Sequence, residues 1–354
     1  MRISPAKHAL LALAVSAAAF VGSAHADPIR GAGSTFAAPV IGRWAQAYQA
    51  TRTDGGDYVS QDWTVDYEPI GSLAGFMRLS QPEMDFAATD APLPSTELKK
   101  RGLAQFPIVI GGIVPVINVE GVAPGTLRMT GPLLAEIFLG KVKNWSDPAL
   151  REINPGLSLP DQPITVVHRA DGSGSTANWT SYLSAHSAEW KNSVGSDTLV
   201  KWPVGVGAEG SSGVLRKVQE TRGAIAYVEF GQVARATLSY ALVQNASGAF
   251  IAPSRSSFQA AAAGADWQRS ADFAVSLLDT PAAEAHPLTI VTFALVPAEP
   301  ASPGRARRTL EFFRLALEKG GEDAAALGYV PLPEAVVRDV ETYWKERIHG
   351  VGGF

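Results

Sequence analysis

The sequence of 354 residues contains no cysteine. Disulfide bonds, thiolate metal sites and cysteine nucleophiles are therefore excluded. Charged residues make up only 18% of the chain, and 30 Lys and Arg against 34 Asp and Glu give a formal net charge of −4. No strongly basic segment stands out, so nucleic acid is not an expected partner. Hydrophobic residues reach 46%, which suffices for a large core, and the length suggests about two domains.

Histidine is also scarce, and after residue 26 it occurs only at His168, His186, His286 and His349. Neither His-Glu-x-x-His nor Gly-x-Ser-x-Gly is present. A secreted phosphatase-type hydrolase would need a nucleophile, a base or a metal set. That class stays open as an alternative, but we expect no enzyme activity, no metal and no cofactor. Alternation along a strand points His168 away from its neighbour Arg169 and makes it a packing or surface residue.

The first 26 residues have the pattern of a secretory signal peptide. Arg2 and Lys7 form a positive start, residues 9–21 are almost wholly apolar, and Ala24-His25-Ala26 matches a small-x-small cleavage site. The apolar stretch is too short to span a membrane. We expect cleavage after Ala26 and, for a disulfide-free exported chain, a periplasmic location.

Strand-like and helix-like stretches alternate along the rest of the chain, which predicts an α/β fold with mostly parallel sheets. The strand candidates are residues 63–70, 84–88, 108–118 (interrupted by Gly111-Gly112), 164–170, 224–230 and 288–296. A chain of this size usually divides into two cores. We place the crossovers near residues 109–112 and 286–288. Lobe 1 would then comprise residues 27–110 and 285–354, and lobe 2 residues 111–284.

Three small-residue turns that carry hydroxyl groups each precede a helix. They are Gly31-Ala32-Gly33-Ser34-Thr35, Gly71-Ser72-Leu73 and Asp171-Gly172-Ser173-Gly174-Ser175-Thr176. A helix start offers unpaired N–H groups and about half a positive charge, which suits an oxyanion. Each turn alone would be an ordinary helix cap. In open α/β folds, however, such helix starts gather at the carboxyl edge of the sheet, so the three turns could form one cleft.

Two charged residues make this hypothesis more specific. Arg169 directly precedes the third turn and can bind two oxygens at once. Asp171 is expected to hold that guanidinium in position. Asp90 is unsuited to an anion site unless the anion carries a proton that this carboxylate can accept.

The chain closely resembles the substrate-binding protein of the bacterial phosphate ABC importer over nearly all of its length after the signal peptide. The resemblance is carried by residues 31–40 (GAGSTFAAPV), 71–72 (GS), 85–93 (DFAATDAPL), 105–112 (QFPIVIGG), 139–145 (LGKVKNW), 169–175 (RADGSGS) and 201–205 (KWPVG). It departs from the family at Leu73 and Ala74, where Ser and Gly are common, and at Ser175, where Thr is common.

The resemblance implies a periplasmic-binding-protein fold in which two lobes close around phosphate and deliver it to a membrane permease. By position, the Thr35 hydroxyl and the Phe36 N–H bind phosphate from the first turn and Ser72 binds from the second. Asp90 accepts the phosphate proton, and Arg169, oriented by Asp171, supplies the charge pair. Ser173, Gly174 and Ser175 donate from the third turn. A monomer is expected.

Other ligands remain possible at this point. Arsenate shares the shape and protonation of phosphate, and sulfate and molybdate share its tetrahedral shape. Gly205-x-Gly207-x-x-Gly210 matches a dinucleotide-binding fingerprint, although a lone match in mid-chain more often marks a glycine-rich loop. The loop of residues 51–62 has no role that we can assign.

Overall fold

A computed structural model of the chain describes residues 28–51, 64–269 and 272–352. The predicted signal peptide with its cleavage site, and the loop of residues 51–62 beyond its first residue, lie outside the described residues. The described part forms twelve strands and thirteen helices. None of these helices combines the length and the apolar character that a membrane crossing requires.

The strands are β1 Ile29–Gly33, β2 Val65–Glu68, β3 Phe86–Thr89, β4 Leu103–Asn118, β5 Arg128–Met129, β6 Thr165–Arg169, β7 Val206–Ala208, β8 Ala224–Glu229, β9 Ser239–Tyr240, β10 Leu242–Gln244, β11 Phe250–Ile251 and β12 Thr289–Pro297. The helices are α1 Ala38–Ala50, α2 Ser72–Arg78, α3 Ser95–Arg101, α4 Gly131–Phe138, α5 Pro148–Ile153, α6 Gly174–His186, α7 Ala188–Ser193, α8 Gly210–Glu220, α9 Phe230–Arg235, α10 Arg255–Ala263, α11 Pro303–Lys319, α12 Gly321–Ala326 and α13 Glu334–Arg347.

The main sheet has the strand order β2-β1-β3-β12-β4-β8-β6-β7. Strands β2, β1 and β3 are parallel, as are β8, β6 and β7, but β12 and β4 pair antiparallel with their neighbours. The expected parallel pairing therefore holds at both ends of the sheet but not at its centre. The reason is topological: β4 leads the chain out of one end of the sheet, and β12 returns in the opposite direction.

Strand β4 belongs to both ends of the sheet. Its residues 103–112 pair with β12, and its residues 113–118 pair with β8. We call β2, β1, β3 and β12 the first half of the sheet and β8, β6 and β7 the second half. The expected interruption at Gly111-Gly112 is wrong, because β4 runs through both glycines as one buried strand. The glycines serve packing: a Cβ at Gly111 would lie 2.8 Å from the Phe36 ring, and a Cβ at Gly112 would overlap the Phe258 ring.

Gly112→Ala is expected to lower the free energy of unfolding by about 1–3 kcal/mol, the usual cost of overpacking a core. Urea unfolding of the purified chain measures this change. Gly304→Ala is the matched control, because Gly304 lies in α11 and an added Cβ there would have no neighbour within 4 Å. An unfolding free energy of Gly112→Ala equal to that of the wild type would contradict the packing role.

The helices cover the sheet with the faces that their periodicity predicts. Val40, Ile41, Trp44 and Tyr48 form the buried face of α1. In the second half, Trp179 stacks on Tyr227 with 5.1 Å between ring centroids and is fully buried. Helices α1, α2 and α6 follow strands β1, β2 and β6 in the chain. Their starts therefore lie at the carboxyl ends of these strands, where a ligand site is expected in an α/β sheet.

Candidate functional site

The first and second turns pack against each other at the carboxyl end of β1. The Gly71 N–H donates a hydrogen bond to the Gly33 carbonyl at 2.8 Å. A Cβ at Gly75 would overlap the backbone of Gly33, so this close approach requires glycine. Ser72, the first residue of α2, is buried beneath the contact. The two turns, which lie far apart in the sequence, thus form one surface.

The third turn carries the guanidinium group of the site. Arg169 ends β6 and is only 3% exposed. Its Nε donates to Asp171 Oδ1 at 2.6 Å, and its Nη2 pairs with Asp171 Oδ2. Burial raises the pKa of Asp171, but the hydrogen bonds and charge of Arg169 outweigh it and leave the pKa below its ordinary value. Asp171 therefore binds the Arg169 guanidinium through both of its carboxylate oxygens.

The hydroxyl residues after Asp171 begin helix α6. Ser173 caps this helix, since its Oγ accepts a hydrogen bond from the Thr176 N–H at 3.2 Å. Gly174 and Ser175 follow in the first turn, and all three residues are buried. The helix is 13 residues long, so its start carries the partial positive charge expected of a full helix.

Asp90 follows β3 directly and is 2% exposed. Its carboxylate accepts hydrogen bonds from Ser34 Oγ at 2.8 and 2.9 Å and from Thr292 Oγ1 at 2.7 Å. Burial raises the pKa of Asp90 to about 6, and the hydrogen bonds of Thr292 and Ser34 and the charge of Arg169 oppose this rise. Near neutral pH the group is thus largely an ionised, buried acceptor.

The residues from the two halves of the sheet meet at Gly174. A Cβ on Gly174 would lie 2.5 Å from Ser72 Oγ, 2.7 Å from Asp90 Cβ and 2.8 Å from the Asp90 N. A Cβ on Gly71 would lie 2.7 Å from Asp171 Oδ2 and 3.6 Å from Arg169 Nη2. The structure therefore brings the second turn, Asp90, Arg169 and the third turn together in one place.

Thr35 joins the same cluster from the first turn, and Phe36 adjoins it. Thr35 Oγ1 lies 2.9 Å from Ser211 Oγ, and the Thr35 carbonyl accepts from Gln232 Nε2 at 3.1 Å. Phe36 is fully buried, and its carbonyl accepts from the Tyr329 hydroxyl at 2.6 Å. All the site residues named from the sequence therefore lie on or beside the three converging turns.

Leu73, which stands where serine is common in the family, still makes a backbone contact to the third turn. The Leu73 N–H donates to the Gly172 carbonyl at 3.1 Å, which links the second turn to the third. A Cβ on Gly172 would lie 2.5 Å from Leu73 Cβ, so the larger side chain packs directly against this glycine. The backbone contact of the second turn thus does not depend on a hydroxyl at position 73.

Several residues of the cluster are not predicted from the sequence, namely Ser34, Asn178, Ser211, Gln232 and Thr292. Asn178 Nδ2 donates to the Asp90 carbonyl at 2.6 Å. The Gly210 N–H donates to Asp171 Oδ1 at 3.0 Å at the start of α8. The Gly205-x-Gly207-x-x-Gly210 pattern is the one sequence signal that points here, because it leads into this helix and to Ser211.

The chemistry of the cluster is that of an oxyanion site with one proton acceptor. Hydroxyl groups and helix starts lie close to one guanidinium, whose partner Asp171 is already engaged by it, and the Asp90 carboxylate is the second acceptor of the cluster. In the part of the chain that the structure describes, no group of three or more His, Asp or Glu side chains is arranged to hold a metal ion.

Comparison with known proteins places this arrangement in a family. Residues 18–314 match the model of the PBP superfamily domain. The phosphate-binding protein PstS of Xylella fastidiosa (strain Temecula1) is 44% identical over 316 residues, which cover 89% of this chain and 84% of that protein. The phosphate-binding protein PstS of Pasteurella multocida is 38% identical over 347 residues and 98% of both chains. The chain belongs to the PstS family of phosphate-binding proteins.

Solved structures agree with the fold of this family. The phosphate-binding protein of Stenotrophomonas maltophilia superposes with a TM-score of 0.65 at 19% identity, over 88% of this chain and 92% of that one. A high-affinity periplasmic phosphate-binding protein bound with phosphate gives 0.65 at 21% identity, over 89% and 93%. The predicted α/β periplasmic-binding-protein fold, with its two lobes, is therefore confirmed. These relatives are named as binding proteins and not as enzymes.

Proposed function

We propose that the chain is an exported protein that binds inorganic phosphate and delivers it to the permease of an ABC importer. The meeting of Ser72, Asp90 and Gly174 beside Arg169 carries this proposal, because it joins donors and one acceptor from both halves of the sheet. The names of the relatives support phosphate as the ligand.

In this proposal the site residues divide into hydrogen-bond donors, one positive charge and the carboxylate that orients it. The Thr35 hydroxyl, the Phe36 N–H and Ser72 donate from the first half of the sheet. Ser173, Gly174 and Ser175 donate from the start of α6. Arg169 supplies the full positive charge and Asp171 fixes its orientation, which two hydrogen bonds to one carboxylate support.

Asp90 provides the selectivity between protonated and fully ionised anions. Phosphate near neutral pH keeps a proton that it can donate to the carboxylate, whereas sulfate would set its lone pairs against it. An unpaired buried acceptor costs about 1–3 kcal/mol, and more where two negative charges meet. Sulfate is therefore disfavoured at Asp90.

The two lobes that close on the ion are residues 27–110 with 285–354, and residues 111–284. The division of β4 pairing after Gly112 supports the first boundary. Direct hydrogen bonds between the halves, between Ser211 and Thr35 and from Asn178 to the Asp90 carbonyl, support closure at this cluster. We infer a monomer that acts in the periplasm after cleavage behind Ala26.

A hydrolase is not favoured by the surroundings of the histidines. His168 stacks on Trp202 with 4.8 Å between ring centroids, as expected for a packing residue, and burial lowers its pKa. His186 pairs with Asp279, and His286 Nε2 lies 3.0 Å from the Ile113 carbonyl. Incubation with a chromogenic phosphate ester is expected to release no dye above the blank.

Isothermal titration calorimetry of the purified mature chain tests the proposal. Phosphate is expected to bind with a Kd of about 1 μM or tighter, since several charge-assisted hydrogen bonds contribute about 1.5–3 kcal/mol each. Arsenate is expected to bind comparably, and sulfate about 5- to 150-fold more weakly, or more where the two negative charges meet. The absence of phosphate binding, or equal affinity for sulfate, would rule the proposal out.

A further inference from the structure

Ser34 is held rigidly between the first turn and Asp90. Its N–H donates to the Ala88 carbonyl at 2.8 Å, and its carbonyl accepts from the Tyr67 hydroxyl at 2.8 Å. Its Oγ accepts from the Ala37 N–H at 3.1 Å at the start of α1. The hydroxyl proton is then directed to the Asp90 carboxylate, 2.8 and 2.9 Å away from its two oxygens. The Ser34 side chain has no exposed surface and no other acceptor for this proton in the described residues.

Thr292 reaches the same carboxylate from β12. It is fully buried and donates from Oγ1 to Asp90 Oδ1 at 2.7 Å. A carboxylate offers about four lone-pair positions on its two oxygens. Thr292 donates to Oδ1, and the one hydroxyl proton of Ser34 is shared between Oδ1 and Oδ2. Because Thr292 uses Oδ1 only, Oδ2 keeps the larger share of its acceptor capacity for a ligand proton.

We propose that Ser34 and Thr292 are positioning residues that fix the Asp90 carboxylate as an acceptor with Oδ2 open for one proton of the bound anion. This inference rests on the proposed phosphate function and deepens it. The two hydroxyl groups stabilise the ionised carboxylate, because both donate hydrogen bonds to it. They thereby lower the pH below which Asp90 takes up a solvent proton and can no longer accept one from phosphate, against the rise that burial causes.

Charged and titratable groups on neighbouring elements also face Asp90, and their titration could contribute to the pH dependence of phosphate affinity. Arg169 faces it from β6, and the hydroxyls of Tyr67 and Tyr329 from β2 and from the segment after α12. Burial raises the pKa of both tyrosines well above the ordinary value, so both stay neutral near pH 7. Burial also raises the pKa of Glu229, which contacts Tyr329, to about 7. Glu229 titrates in the same range and must be separated by a control.

The pH dependence of phosphate affinity tests the proposal. The sign follows from Asp90: affinity falls as the pH drops through its pKa of about 6, because the protonated carboxyl no longer accepts. Thr292→Val removes one donor and keeps the side-chain shape. We expect the midpoint of this fall to move up by about one pH unit. Calorimetric titration with inorganic phosphate at pH 6 and pH 8 should then show a loss at pH 6 about fivefold larger than in the wild type.

Three further variants separate the alternatives. Ser34→Ala is expected to shift the midpoint in the same direction, and Thr292→Ser is expected to restore the wild-type profile. Thr289→Val is the matched control, since Thr289 is a buried hydroxyl of the same strand that donates to the His286 carbonyl instead. Its profile should follow the wild type, which would show that loss of a buried hydroxyl from β12 does not by itself move the midpoint. Because Glu229 is present in the wild type and in every variant, its titration contributes equally to all profiles and cancels in the comparison.

The outcomes distinguish this inference from the proposed function. If the wild type does not bind phosphate, the proposed function fails. If it binds, and Thr292→Val loses the same factor at pH 6 and pH 8, the positioning role is overturned. If the Ser34→Ala chain does not fold, the pH profiles of Thr292→Val and Thr292→Ser still test the positioning role.

Discussion

Asp90→Asn is expected to weaken phosphate binding by about 10- to 100-fold, the loss of one charge-assisted hydrogen bond. The asparagine carbonyl would accept from Ser34 and Thr292, which donate to this group in the structure. Its amide would then point an N–H donor at the anion. Because a donor suits a lone pair, sulfate affinity should rise in the same variant. Calorimetric titration with each anion alone, and with phosphate in excess sulfate, measures both changes.

Asp323→Asn serves as the matched control for this carboxylate change. Asp323 pairs with Arg43, which is more than half exposed, at the edge of α12, and such pairs contribute little to stability. Its phosphate and sulfate affinities should equal those of the wild type. Unchanged phosphate affinity together with unchanged sulfate exclusion in Asp90→Asn would remove Asp90 from the site.

Gly174→Ala should reduce phosphate affinity by about 100-fold or more while the chain still folds. The loss of two charge-assisted hydrogen bonds to phosphate is enough for a decrease of this factor. The new methyl group would lie 2.5 Å from Ser72 Oγ and 2.8 Å from the Asp90 N, so the two halves of the sheet could not close to the present distance. Each charge-assisted hydrogen bond lost by that separation contributes about 1.5–3 kcal/mol. Circular dichroism and calorimetry on the same sample separate folding from binding.

Gly42→Ala is the control for adding a methyl group to a helix. Gly42 lies within α1 and has no neighbour within 4 Å of an added Cβ. This variant should keep its affinity and gain up to about 1 kcal/mol of stability, since alanine favours helix. If Gly174→Ala binds phosphate as tightly as Gly42→Ala does, the cluster does not close around the ligand through Gly174.

The sequence is informative about local segments because local rules produce them. The buried face of α1 follows from the spacing of Val40, Ile41, Trp44 and Tyr48. The pairing of Arg169 with Asp171 could be expected because the two residues are neighbours on one turn. The continuity of β4 could not be expected, because glycine weakens the interior of a strand. The rings of Phe36 and Phe258, which require glycine here, come from distant segments.

The partners of Asp90 could not be predicted from local sequence patterns. Thr292 is 202 residues from Asp90, and nothing in its local pattern marks it as a partner of that carboxylate. Ser34 lies in the first small-residue turn, where a hydroxyl is expected to cap a helix. Its Oγ does accept from the Ala37 N–H at the start of α1, but it also donates to the Asp90 carboxylate. The fingerprint ending at Gly210 is recognisable as a motif, and only its packing against Asp171 shows what it contributes.

By itself, the sequence determined the alternating α/β pattern, the family, and the three turns with their hydroxyl groups, because each depends on neighbours along the chain. The tertiary structure alone decided that the centre of the sheet is antiparallel and that Ser34, Asn178, Ser211 and Thr292 surround the site. The physical reason is that β4 and β12 bring segments that are distant in the sequence into one sheet. Hydrogen bonds of 2.6, 2.7 and 2.9 Å then depend on placement in space, which no local periodicity encodes.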